Sequence, residues 1–165
     1  MKKSVFLIGL LLLFLVGALI LAGQKNVGKT ETIFSLSFTD YQGKTVKLSD
    51  LENKPLVINS WAAWCPFCRK ELQDFVTIQQ ELKDQVVFIA IDRGEPLTTA
   101  KKYTDELGVT NNLVLFLDPT DSFYQAIGGF SMPETIFIDK EGVIRDHKRG
   151  PMEIPEIRER IQKIL

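Results

Sequence analysis

Cys65 and Cys68 are the only thiols in the chain, and they stand three positions apart in Trp64-Cys65-Pro66-Phe67-Cys68. At the start of a helix, that spacing puts both sulfurs on one face, close enough to bridge. A cysteine at the first cap position meets unpaired backbone N–H groups and the positive end of the helix dipole. This environment favours thiolate, the nucleophilic form, at Cys65, and the recessed Cys68 is then placed to resolve a mixed disulfide. The loop closed by such a bridge is tiny, so its chain-entropy contribution to stability is small. A purely structural disulfide is therefore a poor use of the pair. A metal half-site is the other reading, and zinc would have to borrow His147 and carboxylates, because no further cysteine exists. His147 is the chain's single histidine and lies in the charged run Arg145 to Arg149, where it reads as a solvated surface residue.

The elements that must position these cysteines follow from hydrophobic spacing. Phe34, Leu36 and Phe38 alternate with serines, as a half-buried strand does. A turn at Tyr41 to Lys44 leads into a second short strand over Thr45 to Leu48. Pro55 to Ser60 and Val86 to Ile91 are continuous apolar runs of the kind buried inside a sheet. Between them a helix is predicted to begin around Cys65 to Phe67, with Leu72, Phe75, Val76, Gln79 and Leu82 at helical spacing. A second helix is expected over Leu97 to Leu107, ended by Gly108. A strand follows at Leu113 to Leu117, then a short helix at Ser122 to Ile127 stopped by Gly128-Gly129. Thr135 to Ile138 and Val143 to Arg149 form a hairpin across Asp139 to Gly142. Glu153 to Leu165 closes the chain as an amphipathic helix with Ile154, Ile157, Ile161 and Ile164 on one stripe. Alternating strands and helices predict an α/β sandwich with a largely parallel central sheet.

The composition bounds the rest. The chain has 165 residues, 45% apolar and 25% charged, with a net charge of -1. That is a globular balance, and it excludes disordered and collagen-like chains. It carries no basic footprint for nucleic acid, so no nucleic-acid partner is expected. Two cysteines exclude a disulfide-dense secreted scaffold. No charged side chain occurs between Ser4 and Gln24. Roughly 20 apolar residues in a helix span a bilayer core. Residues 1–23 are accordingly expected to be a single membrane span, with a cleaved signal peptide as the competing reading. Lys2 and Lys3 precede the stretch, so the positive-inside bias sends the remainder outward. Residues 24–31 read as a linker, and 32–165 as the folded domain.

INSWAAWCPFCRKEL, followed downstream by SMPETIFIDKEGVI, resembles the thioredoxin superfamily and, more narrowly, the membrane-anchored TlpA/ResA-type thiol-disulfide oxidoreductases. The resemblance covers Phe34 to the C-terminus. It implies a thioredoxin-like three-layer sandwich with a central mixed sheet and an N-terminal β-hairpin. It also implies that the peptide bond before Pro133 is cis, beside the disulfide, leaving the backbone at Met132 free to pair with a substrate strand. Glu71 matches a glutamate that assists proton transfer in ResA-like proteins; the alternative is a solvated helix glutamate paired with a lysine. Asn59 stands where cytoplasmic thioredoxins have a buried aspartate, and an asparagine cannot act as a general base. Trp64 is expected to shield the disulfide, whereas Trp61 packs beside the site or simply in the core. Trp64, Pro66, Phe67, Met132 and Pro133 are the residues expected to meet substrate.

The family's implied activity is exchange with protein thiols and disulfides outside the cytoplasm, in the reducing direction, as in cytochrome c maturation or disulfide repair. It needs a membrane electron donor and no resident cofactor. The dipeptide Pro66-Phe67 departs from many TlpA/ResA-type proteins, which have proline just before the second cysteine. It is closer to glutaredoxin or DsbA patterns, and it bears on thiolate pKa and reduction potential. A DsbA-like disulfide-forming oxidant is therefore the alternative, and a copper or zinc metallochaperone a further one. A peroxidase is disfavoured, because the threonine and arginine that surround a peroxidatic cysteine are missing.

Overall fold

The computed structural model describes residues 31–165. The expected anchor, and the linker as far as residue 30, lie outside the described residues. Among the described residues no helix is long and apolar enough to cross a membrane. The strands are β1 (Ser37–Asp40), β2 (Thr45–Lys47), β3 (Leu56–Trp61), β4 (Val87–Arg93), β5 (Val114–Asp118), β6 (Glu134–Ile138) and β7 (Ile144–Arg149). The helices are α1 (Cys68–Leu82), α2 (Leu97–Glu106), α3 (Ser122–Ala126) and α4 (Ile154–Ile161).

The strands form one seven-stranded sheet in the order β2-β1-β5-β4-β3-β6-β7. Only β3·β4 and β4·β5 run parallel; the other pairings are antiparallel. The expectation of a largely parallel sheet is thus corrected to a mixed one. The reason is connectivity. Helical crossovers α1 and α2 join the three central strands, while tight turns join β1 to β2 and β6 to β7, and a tight turn forces antiparallel pairing. The N-terminal β-hairpin is present as β1–β2.

Side chains alternate across the sheet with period two, and each face carries its own core. Val57 and Trp61 of β3 face Leu72, Phe75 and Ile78 of α1, Ala100 of α2, and Ile157 and Ile161 of α4. Phe75 and Phe88 meet at 5.4 Å between ring centroids on this side. Leu56 and Ile58 point to the opposite face, with Phe38, Phe116 and Phe123. Phe38 stacks on Phe116 at 5.9 Å there. Fully burying one such ring contributes roughly 1.5–3 kcal/mol. These two cores separate the three layers and leave β3 buried along its whole length.

Two boundaries differ from the sequence reading. Residues 31–34 are a helical turn, not the beginning of a strand, because neighbouring Ile33 and Phe34 both enter the second core, which strand alternation cannot arrange. Helix α1 begins at Cys68 rather than at Cys65 to Phe67, since the preceding residues are spent on a turn. Its buried residues are Cys68, Glu71, Leu72, Asp74, Phe75 and Ile78, a stripe rotated slightly from the predicted one so that a glutamate faces inward. Helix α2 stops as expected at Gly108, whose φ of +71° reverses the chain at little steric cost.

Candidate active site

The buried strand β3 ends at Trp61, and a tight turn carries the chain to Cys65, whose N–H donates to the carbonyl of Ala62 at 3.1 Å. Cys65 and Cys68 are joined as a disulfide with their Cα atoms 5.4 Å apart. The backbone N–H of Cys68, the first residue of α1, donates to Cys65 Sγ at 3.2 Å. That contact places an amide hydrogen and the positive end of a four-turn helix against one sulfur only. Exposure alone does not rank the two sulfurs, since Cys65 is 1% exposed and Cys68 is fully buried. The donor does: charge developing on Cys65 is stabilised and charge on Cys68 has no such partner.

The residues flanking Cys65 turn outward. Trp64 is 62% and Phe67 61% exposed, and Pro66 between them is also exposed. The interior position beside the disulfide is filled by Trp61, which is fully buried and stacks on Tyr103 at 5.5 Å. Arg69 lies over the same Tyr103 ring at 5.2 Å.

The Met132–Pro133 peptide bond is cis. The register Ser60↔Glu134 between β3 and β6 sets Pro133 at the end of the sheet where β3 runs into the cysteine turn. Met132 packs against the core that contains both cysteines.

Glu71 points inward at 1% exposure, so the solvated-helix alternative does not apply to it. Its carboxylate accepts from Asn59 Nδ2 and from the Met152 N–H, each at 2.9 Å. Asn59 Nδ2 also donates to Thr135 Oγ1 of β6 at 2.9 Å. Burial pushes the Glu71 carboxyl up to about 8, and these two donors only partly oppose the rise. The lysine of this helix, Lys70, instead pairs with the largely buried Asp74 and the exposed Glu153.

Sequence reasoning missed two groups. Asp92, fully buried at the end of β4, accepts from the Glu95 N–H at 3.0 Å, and Glu95 accepts from the Ala63 N–H of the cysteine turn at 2.6 Å. Burial first, and a hydrogen bond to Glu95 second, push the Asp92 carboxyl up to about 8. The second group is centred on Glu134. His147, expected to be solvated, is only 16% exposed, with Nε2 2.6 Å from Glu134 Oε1. The correction has a simple cause: β7 pairs with β6, and its inward face brings His147 and Arg149 over the fully buried Glu134. Nothing in the local pattern around His147 marks that pairing; only its register within the predicted hairpin carries the signal. Among the described residues no group of three or more histidines, cysteines and acids is arranged to hold a metal ion.

A disulfide at a helix start, a cis proline beside it and a mixed sheet beneath define a thioredoxin-like dithiol protein. Residues 26–161 match the Redoxin family, and the chain belongs to it. It is 31% identical over 84% of its length to the thiol-disulfide oxidoreductase ResA of Geobacillus thermodenitrificans, covering 78% of that protein. It is 28% identical over 90% of its length to the thiol:disulfide interchange protein DsbE of Pseudomonas aeruginosa, covering 84%. The crystal structure of the exposed lipoprotein thioredoxin Etrx1 of Streptococcus pneumoniae superposes with a TM-score of 0.65. There the identity is 29%, over 78% of this chain and 98% of that one. The chain is a thiol-disulfide oxidoreductase of ResA/DsbE type with a Cys65–Cys68 pair.

Proposed function

We propose that this protein is a membrane-tethered reductant of protein disulfides, with its folded domain outside the cytoplasm. The observation that carries the reading is the Cys68 N–H donated to Cys65 Sγ at the head of α1, which selects Cys65 as the nucleophile. Cys65 thiolate attacks one sulfur of a substrate disulfide, forming a mixed disulfide and releasing the other substrate sulfur as thiolate. Cys68 then loses its proton and attacks Cys65 Sγ, which releases the second substrate thiol and leaves the Cys65–Cys68 disulfide. Two electrons pass to the substrate, and a membrane dithiol donor must return them. Glu71, one turn beyond Cys68 with a carboxyl raised to about 8, is suited to take and return the Cys68 proton near neutral pH. The adjacent Asn59 orients that carboxyl and carries no proton itself.

Trp64, Pro66 and Phe67 supply the substrate-facing rim, and the Met132 backbone beside Pro133 supplies an edge for an extended peptide. The apolar N-terminal stretch and the likeness to an exposed lipoprotein thioredoxin support the extracytoplasmic placement. Substrates of the cytochrome c maturation kind, apoproteins whose cysteines must be reduced before haem attachment, fit the relation to ResA; repair of wrong disulfides uses the same chemistry.

Insulin disulfide reduction by the soluble domain tests the reading. Cys65→Ser abolishes turnover, while Cys68→Ser accumulates mixed disulfides through Cys65; unchanged turnover in the first variant ends the proposal. Activity with dithiol donor should inflect near pH 8, and Glu71→Gln should flatten that inflection. The order Pro66-Phe67 favours a second reading, a DsbA-like oxidant, and the reduction potential separates the two. A value near about -270 mV marks a reductant and one near about -120 mV an oxidant.

A further inference from the structure

Glu134 follows the cis proline and is fully buried, where a carboxylate is costly unless it is hydrogen-bonded and faced by positive groups. Its two oxygens divide the work. Oε1 faces His147 Nε2 at 2.6 Å and Arg149 Nε at 3.2 Å, both from β7. Oε2 accepts the backbone N–H groups of Phe130 at 2.8 Å and Ser131 at 3.1 Å. The same loop is held from its other side by Tyr124 of α3, whose hydroxyl donates to the Ser131 carbonyl at 3.2 Å. Gly129 lies so close to the Tyr124 ring that a Cβ there would meet it at 2.4 Å. Arg149 also reaches the Gly128 carbonyl, and the Gly150 N–H donates to the Pro133 carbonyl at 2.9 Å.

A loop fastened at so many backbone points nevertheless leaves one large apolar side chain outside: Phe130 is 85% exposed. Among the described residues the other exposed large hydrophobics are Trp64 and Phe67, on either side of Cys65, and the terminal Leu165. Phe130 lies two residues from Met132, which packs against the core holding both cysteines. An exposed ring on an ordered backbone gives contact area at little further entropic cost on binding.

We propose that Glu134, backed by His147 and Arg149, is a positioning residue that fixes the 128–132 loop so that Phe130 grips an apolar stretch of the polypeptide whose disulfide is exchanged. This rests on the reading of the protein as a protein-disulfide exchanger. The contact lies outside the reacting atoms, so it acts on polypeptide binding and leaves oxidised glutathione, which has no large apolar side chain for the ring to meet, unaffected.

The test compares wild type, Phe130→Ser and Glu134→Gln on insulin and on oxidised glutathione, with reduction potential and thermal midpoint measured alongside. Phe130→Ser, on an exposed side chain, keeps the native fold. It should raise KM for insulin about tenfold with kcat held, the size of effect expected of one aromatic contact. Glu134→Gln should move the insulin KM in the same direction, while the potential and glutathione exchange stay at wild-type values. A native insulin KM in Phe130→Ser overturns the proposal. So does an equal loss on insulin and glutathione in Glu134→Gln, which would make Glu134 a support of the cysteines or of the fold alone. If wild type itself fails to reduce insulin, the exchange reading falls and takes this assignment with it. Wild-type turnover with both variants native in KM removes the loop assignment only.

Discussion

Two tryptophans three residues apart divide the site into an inner wall and an outer rim. Trp61 closes β3, is fully buried and stacks on Tyr103, beside the enclosed Asn59–Glu71 pair. Trp64, across one turn, stands in solvent with Phe67, and Phe130 stands out likewise from its fastened loop. Identical chemistry in the residue type gives opposite uses. What separates them is the backbone: a strand points Trp61 by pleat into the core, and the turn before Cys65 releases Trp64 from it. On the function proposed above, the wall carries stability and proton chemistry, and the rim decides what the disulfide can touch.

The sharpest way to break this division is to cut the wall. Trp61→Ala should cost about 3–5 kcal/mol in chemical unfolding, as large buried aromatics do when truncated. A loss under 1 kcal/mol would show that the wall is not core. Next in size is Glu71→Gln, read through pH. The folded chain holds this carboxyl proton up to about 8, above the ordinary 4.5, so between those values the folded state binds more protons than the unfolded one. Stability therefore falls as pH rises through that window, by an amount on the order of a few kcal/mol. Glutamine cannot ionise, so the variant should lose less stability between pH 5 and pH 8 than wild type does. Part of the slope should persist, because Asp92 is raised in the same sense.

The rim should behave in reverse. Trp64→Ala and Phe67→Ala should shift stability by no more than about 0.5 kcal/mol, as exposed substitutions do. Both should slow exchange with a polypeptide more than with glutathione in a stopped-flow comparison. The smallest effect belongs to Lys101→Ala, which removes an ion pair with Asp105 that is exposed on both sides. Its thermal midpoint should match wild type, since ion pairs in solvent contribute little.

Much of this was legible in the residues. The WCPFC spacing, the apolar strands on either side of α1 and the downstream Met132-Pro133 placed the disulfide and its neighbours where the structure has them. The layers also followed from periodicity. Strand direction did not, because a run such as Thr135 to Ile138 is equally apolar whichever way its neighbour runs; the short turn after it was the better guide. Contacts made across the sheet were equally silent. His147 lies in a charged run and reads as solvated until β6 lays a buried glutamate beneath it. Asp92 and Glu95 join the end of β4 to the cysteine turn through carboxylate-to-amide contacts, which no side-chain pattern records.

The sheet's two borders have a consequence for the molecule in a crowded compartment. One border is β2, only three residues long and ending in a lysine; the other is β7, which reads Ile-Arg-Asp-His-Lys-Arg. Short or heavily charged borders are poor templates for another chain's backbone. An exchanger that brings protein thiols to its surface is thereby guarded against zippering onto other chains, or onto its own copies, as an aggregate.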